Sequence, residues 1–129
     1  MINIGTATTV SVVLADGTFD GGIIATGVGI TMEALSKRTS KLVEVPLEKP
    51  PSIVGRNTAD CIKSGFFHGW AFMMDGFVEK ISALYGRGFT VILTGGFPRK
   101  FAGHLGFPCD IAPLLTMKGI KVLFDINRA

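Results

Sequence analysis

The sequence predicts an α/β fold in a single domain, residues 1–129, with a mixed sheet that opens as a β-meander and is followed by helices. Three observations carry this. Two β-branched runs, Thr8 to Ala15 and Thr18 to Ile24, flank Asp16-Gly17, a dipeptide that marks a hairpin. From Ala59 to Leu84 the apolar residues recur at threes and fours, the period of a helix. A third apolar run, Phe89 to Leu93, is bounded by Thr94-Gly95-Gly96 and reads as a buried strand.

Taken in order, Met1 to Ile4 is the stump of a strand, and Gly5-Thr6-Ala7 bends it into the hairpin. Asp16 and Gly17 suit a type I′ turn, whose two central residues need positive φ. Ile30 to Leu35 reads as a short helix ending near Lys37-Arg38. The stretch from Val43 to Ser52, with Pro46, Pro50 and Pro51, is a rigid irregular connection that holds no helix.

The long periodic segment has Asn57 as its N-cap and Gly86 at its C-terminal end. Gly65, Gly69 and Gly76 lie inside it, each costing about 1 kcal/mol relative to Ala, and close packing of another backbone would offset them. The segment reads as one helix; a break near Gly65 or Gly76 is the alternative. Pro98 opens a short helix reaching His104. Ala112 to Leu123 has helical spacing, with Lys118 and Lys121 toward the end that favours cations.

Hydrophobic residues make up 47% of the chain, and mean hydropathy is +0.45. No apolar run approaches the roughly 18 residues of a membrane helix. Surplus apolar surface points instead to burial against another chain, so a homo-oligomer or a second subunit is expected. The net charge of +3 is scattered, with no stripe that would track a phosphate backbone, so nucleic acid is not expected as a partner. The start Met-Ile-Asn-Ile-Gly lacks the parts of a secretion signal, and a cytoplasmic protein is expected. Cys61 and Cys109 lack paired spacing and read as reduced, buried, small apolar residues. His68 and His104 have no nearby second ligand for a metal.

Chemistry concentrates in Asn3-Ile4-Gly5-Thr6-Ala7-Thr8. A glycine after a strand lets a phosphate approach the backbone, and hydroxyls on Thr6 and Thr8 can donate to it. A plain structural turn explains the same residues, since glycine forms turns and threonine suits strands. Thr94-Gly95-Gly96 has the same two readings, and Thr58 can simply follow the Asn57 cap.

The order of these motifs resembles the second half of a type III pantothenate kinase, in the actin, sugar kinase and Hsp70 ATPase superfamily. The residues carrying the likeness are Asn3-Ile4-Gly5-Thr6-Ala7, Gly21-Gly22-Ile23-Ile24, Ala34-Leu35 before Pro46, Asn57-Thr58, Thr94-Gly95-Gly96, and Leu115-Thr116-Met117-Lys118-Gly119-Ile120. The resemblance implies a ribonuclease H-like lobe and ATP with Mg2+ as cofactor. It implies that Gly5, Thr6 and Thr8 contact nucleotide phosphate, that Gly95 and Gly96 lie near the nucleoside, and that Thr58 helps hold pantothenate.

Departures from the family's pattern shape the expected function. Its general-base Gly-x-Asp-Arg motif and its first-lobe phosphate turn have no counterpart here. Asn3 replaces the aspartate before Gly-Thr-Ala, where the family places a monovalent cation, and Ser11 stands where a second aspartate is usual. The expectation is a pantothenate kinase subunit, a phosphotransferase of coenzyme A biosynthesis only when another chain supplies the first lobe and the catalytic aspartate. The alternative is a catalytically inactive pantothenate-kinase-like binding or regulatory module.

Overall fold

A computed structural model of the chain describes residues 1–39 and 41–128. In chain order the elements are β1 (Ile2–Ile4), β2 (Ala7–Val13), β3 (Phe19–Thr26), α1 (Val28–Arg38), α2 (Thr58–Tyr85), β4 (Val91–Gly95), α3 (Pro98–Phe101) with a 3₁₀ turn Ala102–His104, β5 (Cys109–Ile111) and α4 (Leu115–Ile126). Among the described residues the strands form one mixed sheet in the order β3-β2-β1-β4-β5. The first three strands are the antiparallel meander, while β4 and β5 run parallel to β1. The α/β expectation therefore holds.

In β2 the residues Thr8, Val10 and Val12 point into the core and alternate with partly exposed neighbours, the period of a half-buried strand. Its hairpin turn differs from the type I′ expectation. Leu14 N–H donates to the Thr18 carbonyl at 2.8 Å, and Gly17 N–H to the Leu14 carbonyl at 3.0 Å. That closes a three-residue loop in which only Gly17 takes positive φ, at 87°. The Asp16 carboxylate accepts from Thr18 N–H at 2.9 Å, so Asp16 serves as a side-chain turn former and is spared the left-handed backbone.

The β2–β3 register shifts between Val12 and Val13, where Asp20 is the extra residue and Gly21 has φ of 115°. Tyr85, the last residue of α2, donates its hydroxyl to the Asp20 carboxylate and ties this bulge to the helix.

Helix α2 runs unbroken for 28 residues, capped by the Asn57 side chain at Asp60 N–H and terminated by left-handed Gly86. Ser64, Phe66, Phe67, Ala71 and Met74 bury its inner face. Phe66, Phe67, Ala71 and Met74 join Ile2, Ile4, Val10, Leu93 and Phe101 in one core. The expected close backbone beside Gly65, Gly69 and Gly76 is not found: among the described residues, a β-carbon at any of the three would meet nothing within 4 Å. Burial of the opposite face carries the helix through its glycines.

Strand β4 (Val91–Gly95) and helix α4 (Leu115–Ile126) both begin and end later than the sequence predicts, and one strand is new. Thr94 and Gly95 belong to β4 rather than terminating it. β5 has no counterpart in the sequence reading, because three residues are too few for a periodic signal and only pairing with β4 makes them a strand. Helix α4 extends to Ile126, so Lys118 and Lys121 lie mid-helix and outside its last turn. Cys61 is exposed rather than buried, and Cys109 is only partly buried. No described helix is long and apolar enough to cross a membrane.

Candidate functional site

Two glycine turns meet at one end of the sheet. Strand β1 ends in the Gly5-Thr6 bend, and parallel pairing sets Ile4 beside Gly95. The Ile4 carbonyl accepts from both Gly96 N–H, at 3.0 Å, and Phe97 N–H, at 3.1 Å. The Gly95-Gly96-Phe97 turn is thus folded around the end of β1. Gly95 has φ of 101°, and a β-carbon there would stand 2.5 Å from the Ile4 carbonyl oxygen. Only glycine fits this conformation and this approach.

A third glycine, missed in the sequence, completes the corner. Gly27 is the N-cap residue of α1, and a β-carbon on it would collide with the Gly5 and Thr6 carbonyl oxygens. The first turn of α1 is therefore seated against the bend. No side chain caps it; Thr31 bonds back to the Gly27 carbonyl through its hydroxyl, at 3.0 Å. Gly29, in that turn, faces the Phe97 ring, the nearest ring carbon lying 3.8 Å from where a β-carbon would be. The signal available for Gly27 was its position just ahead of an apolar periodic run.

The expected phosphate contacts divide. Gly5 N–H is engaged by the Ala7 carbonyl at 3.1 Å. Thr6 is exposed at the tip of the bend, whereas Thr8 is fully buried and its hydroxyl accepts from Trp70 Nε1 at 3.2 Å. Thr8 thereby locks β2 to α2 behind the bend.

Beside the Phe97 turn lies a cavity of about 480 Å3, lined by Gly29, Met32, Leu35, Val45, Ile62 and Phe97 among others. Glu33 and Lys37 stand on its wall as an i,i+4 ion pair. The Lys37 hydrogen bond and charge hold the Glu33 carboxyl below its ordinary range. Thr58 opens onto a second, apolar groove of about 430 Å3 with Leu42, Cys61, Phe66 and Trp70. The two hollows share Leu35 and Ile62, so they adjoin across α1 and α2. Asn57 is occupied with capping: its Oδ1 accepts from Asp60 N–H at 2.9 Å and its Nδ2 donates to the Asp60 carboxylate at 2.8 Å.

Asn3 Oδ1 is buried and without a hydrogen-bond partner among the described residues. It lies between the glycine turns, 3.3 Å from where a β-carbon on Gly5 would be. A neutral, desolvated carbonyl oxygen suits a monovalent cation as one ligand of several, with less attraction than a carboxylate gives. Among the described residues no three His, Cys, Asp or Glu side chains converge on a metal position. Divalent metal held here would rely on nucleotide phosphates for its anionic ligands.

A family model described as type III pantothenate kinase matches residues 1–80. The type III pantothenate kinase of Roseiflexus sp. strain RS-1 is 38% identical over 125 residues, covering 97% of this chain and 49% of the relative. That of Koribacter versatilis is 34% identical over 128 residues, covering 99% of this chain and 47% of the relative. The chain thus spans about half the length of the curated relatives it matches. The crystal structure of a conserved protein from Campylobacter jejuni, described as a Baf family transcriptional activator, superposes with a TM-score of 0.66 at 19% identity. It covers 98% of this chain and 57% of that one, a likeness of fold alone.

Proposed function

This chain belongs to the type III pantothenate kinase family, and on that premise we propose that it forms one wall of the site where ATP phosphorylates pantothenate, a step of coenzyme A biosynthesis. The observation that carries the reading is the Ile4–Gly95 register, which brings the Gly5-Thr6 bend and the Gly95-Gly96 turn to the same corner. The opposite wall, with the catalytic aspartate, is supplied by another chain, so this lobe acts as a subunit.

On this wall Thr6 donates its hydroxyl to nucleotide phosphate, and the uncapped N-terminus of α1 adds orphan backbone N–H groups and the positive end of its dipole. Gly5 contributes closeness of approach rather than its N–H. Thr8 acts from behind, holding the bend through Trp70. The nucleoside lies by Gly95 and Gly96, with Phe97 and the adjoining cavity for its base. Thr58, in the neighbouring groove, holds pantothenate. Phosphoryl transfer needs positioning and charge stabilisation from both sides of the nucleotide. Mg2+ carried by ATP supplies part of that charge, and this wall supplies orientation.

The single tryptophan gives the experiment a reporter, because Trp70 lines the Thr58 groove. Pantothenate is expected to change Trp70 fluorescence, with Thr58→Val weakening the response about tenfold through a lost hydrogen bond to substrate. ATP-dependent phosphorylation of pantothenate is expected only when a first-lobe chain is added. A mixture that associates, binds ATP and stays inactive favours the second reading, an inactive binding or regulatory module. Neutral Asn3 in the buried position is the observation that supports that alternative.

A further inference from the structure

One side chain of the glycine corner is left idle. Strand β1 turns Ile2 and Ile4 into the core, which sets Asn3 on the other face of the sheet. Asn57 and Asn127 donate through Nδ2 to the Asp60 carboxylate and the Leu123 carbonyl. Asn3 makes no such bond among the described residues, and of its two side-chain polar atoms only Oδ1 is both buried and unpaired. The equally unpaired Nδ2 is therefore the accessible end of the amide, a free donor beside the Gly5 and Gly95 turns.

The surroundings favour an anion. Asn3 pairs with Thr9 on β2 and with Thr94 on β4, and Ser11 follows Thr9 on the same face of β2. All three neighbours are neutral, so none repels a phosphate, while Oδ1, neutral and buried, attracts a cation only weakly. Thr6 stands exposed at the tip of the bend and Asn3, partly exposed, lies at its base. A phosphate resting on the bend meets one donor from each. Hydrogen bonds to an ionised acceptor are the stronger kind, so the amide gains most from a phosphate oxygen.

We propose that Asn3 binds nucleotide phosphate directly through its Nδ2 hydrogens, so that ATP enters this corner without a monovalent cation between protein and phosphate. The proposal rests on the reading of the corner as the phosphate site. It gives the neutral amide a role that a carboxylate at the same position cannot fill, because an ionised Asp has no hydrogen to donate. Oδ1, wedged where a β-carbon on Gly95 would stand, fixes the amide plane and aims Nδ2 away from the core.

The chain has three asparagines and no glutamine, so its proton–nitrogen magnetic resonance spectrum holds three side-chain amide pairs, and the pair missing from Asn3→Asp is that of Asn3. The test adds ATP with Mg2+ to the full chain, alone and mixed with a first-lobe chain, in tetramethylammonium chloride. The Asn3 pair is expected to shift while those of Asn57 and Asn127 stay in place. ATP affinity is expected to agree within about threefold when potassium chloride replaces that salt at equal ionic strength. Asn3→Asp is expected to weaken ATP at least about tenfold in tetramethylammonium chloride, by exchanging a donor for a charge of the phosphate's own sign, and Asn3→Ala, which leaves no orphan oxygen, at least about fivefold. The proposal is overturned if the Asn3 pair is unmoved by ATP in both preparations, if potassium tightens ATP by more than that threefold margin, or if neither variant binds ATP more weakly than the parent. A shift at Asn3 without pantothenate phosphorylation in the mixture sinks the proposed function and leaves this proposal standing. Phosphorylation with the Asn3 pair unmoved does the reverse.

Discussion

The side-chain oxygen of Asn3 fills the space that a β-carbon on Gly95 would need. The two residues sit on neighbouring parallel strands, Asn3 pairing with Thr94 and Ile4 with Gly95. Their closeness gives Gly95 a double requirement, for positive φ and for the absence of a side chain. Gly95→Ala is expected to destabilise the lobe by about 2–4 kcal/mol, from left-handed strain plus a steric clash. A β-carbon on Gly96 would meet nothing within 4 Å, and its φ is not positive, so Gly96→Ala is expected to stay within about 0.5 kcal/mol of the parent. Chemical denaturation of both variants checks the pair; equal losses would refute the geometry.

Asn3 itself offers a probe of the corner. Asn3→Asp places a charge where a neutral oxygen already lacks a partner, and a cost of about 1–3 kcal/mol is expected in tetramethylammonium chloride. If the oxygen faces a cation position, potassium chloride at equal ionic strength is expected to recover part of that loss. Unfolding midpoints that are identical in the two salts would rule the cation position out.

The three glycines inside α2 predict a gain. Gly65→Ala, Gly69→Ala and Gly76→Ala each remove backbone entropy from the unfolded chain and meet open space in the folded one. Each is expected to raise stability by about 0.5–1 kcal/mol. Thermal unfolding of the single variants measures this, and a loss at any of them would mean that another backbone covers that face.

Tyr85 is the single tyrosine, so its ionisation can be followed directly by ultraviolet absorbance. Its hydrogen bond to Asp20, with lesser help from desolvation and the Asp20 charge, holds the phenol above its ordinary range. The midpoint is expected above the ordinary range of a phenol and is expected to fall in Asp20→Asn. Because the folded value is raised, the contact contributes fully below the unfolded pKa and is lost as pH rises through the folded one. Asp20→Asn is therefore expected to cost stability at neutral pH, and that cost is expected to vanish as pH rises through the folded pKa, where the phenolate and the Asp20 carboxylate would repel.

Much of the architecture is legible in the sequence because it is local. The hairpin is marked by Asp16-Gly17 between β-branched runs, and α2 by its period, its Asn57 cap and its Gly86 terminator. The turn type is not, because Asp16 satisfies Thr18 N–H through its side chain, an option that the dipeptide alone does not distinguish. β5 escapes notice because Cys109–Ile111 has no pattern of its own. The exposure of Cys61 is hidden because α2 turns that position outward, which depends on where the sheet lies.

The site is half legible. Glycines beside hydroxyls identify places where a phosphate can approach, and the motif order identifies the family whose model matches residues 1–80. Phe97 and Trp70 cannot be found that way, since each acts only through a partner distant along the chain.

The sequence alone determined the period of the hairpin strands and of α2, the two caps of α2 and the glycines that punctuate them, because these are fixed by side-chain spacing and backbone sterics within a few residues. Tertiary structure alone decided that β4 lies beside β1, so that turns some 90 residues apart close on the same corner. It also decided that Thr8 turns inward to Trp70 and that α4 is left without cover. Those outcomes depend on which surfaces meet, and burial is a property of the assembled fold, beyond what any segment holds by itself.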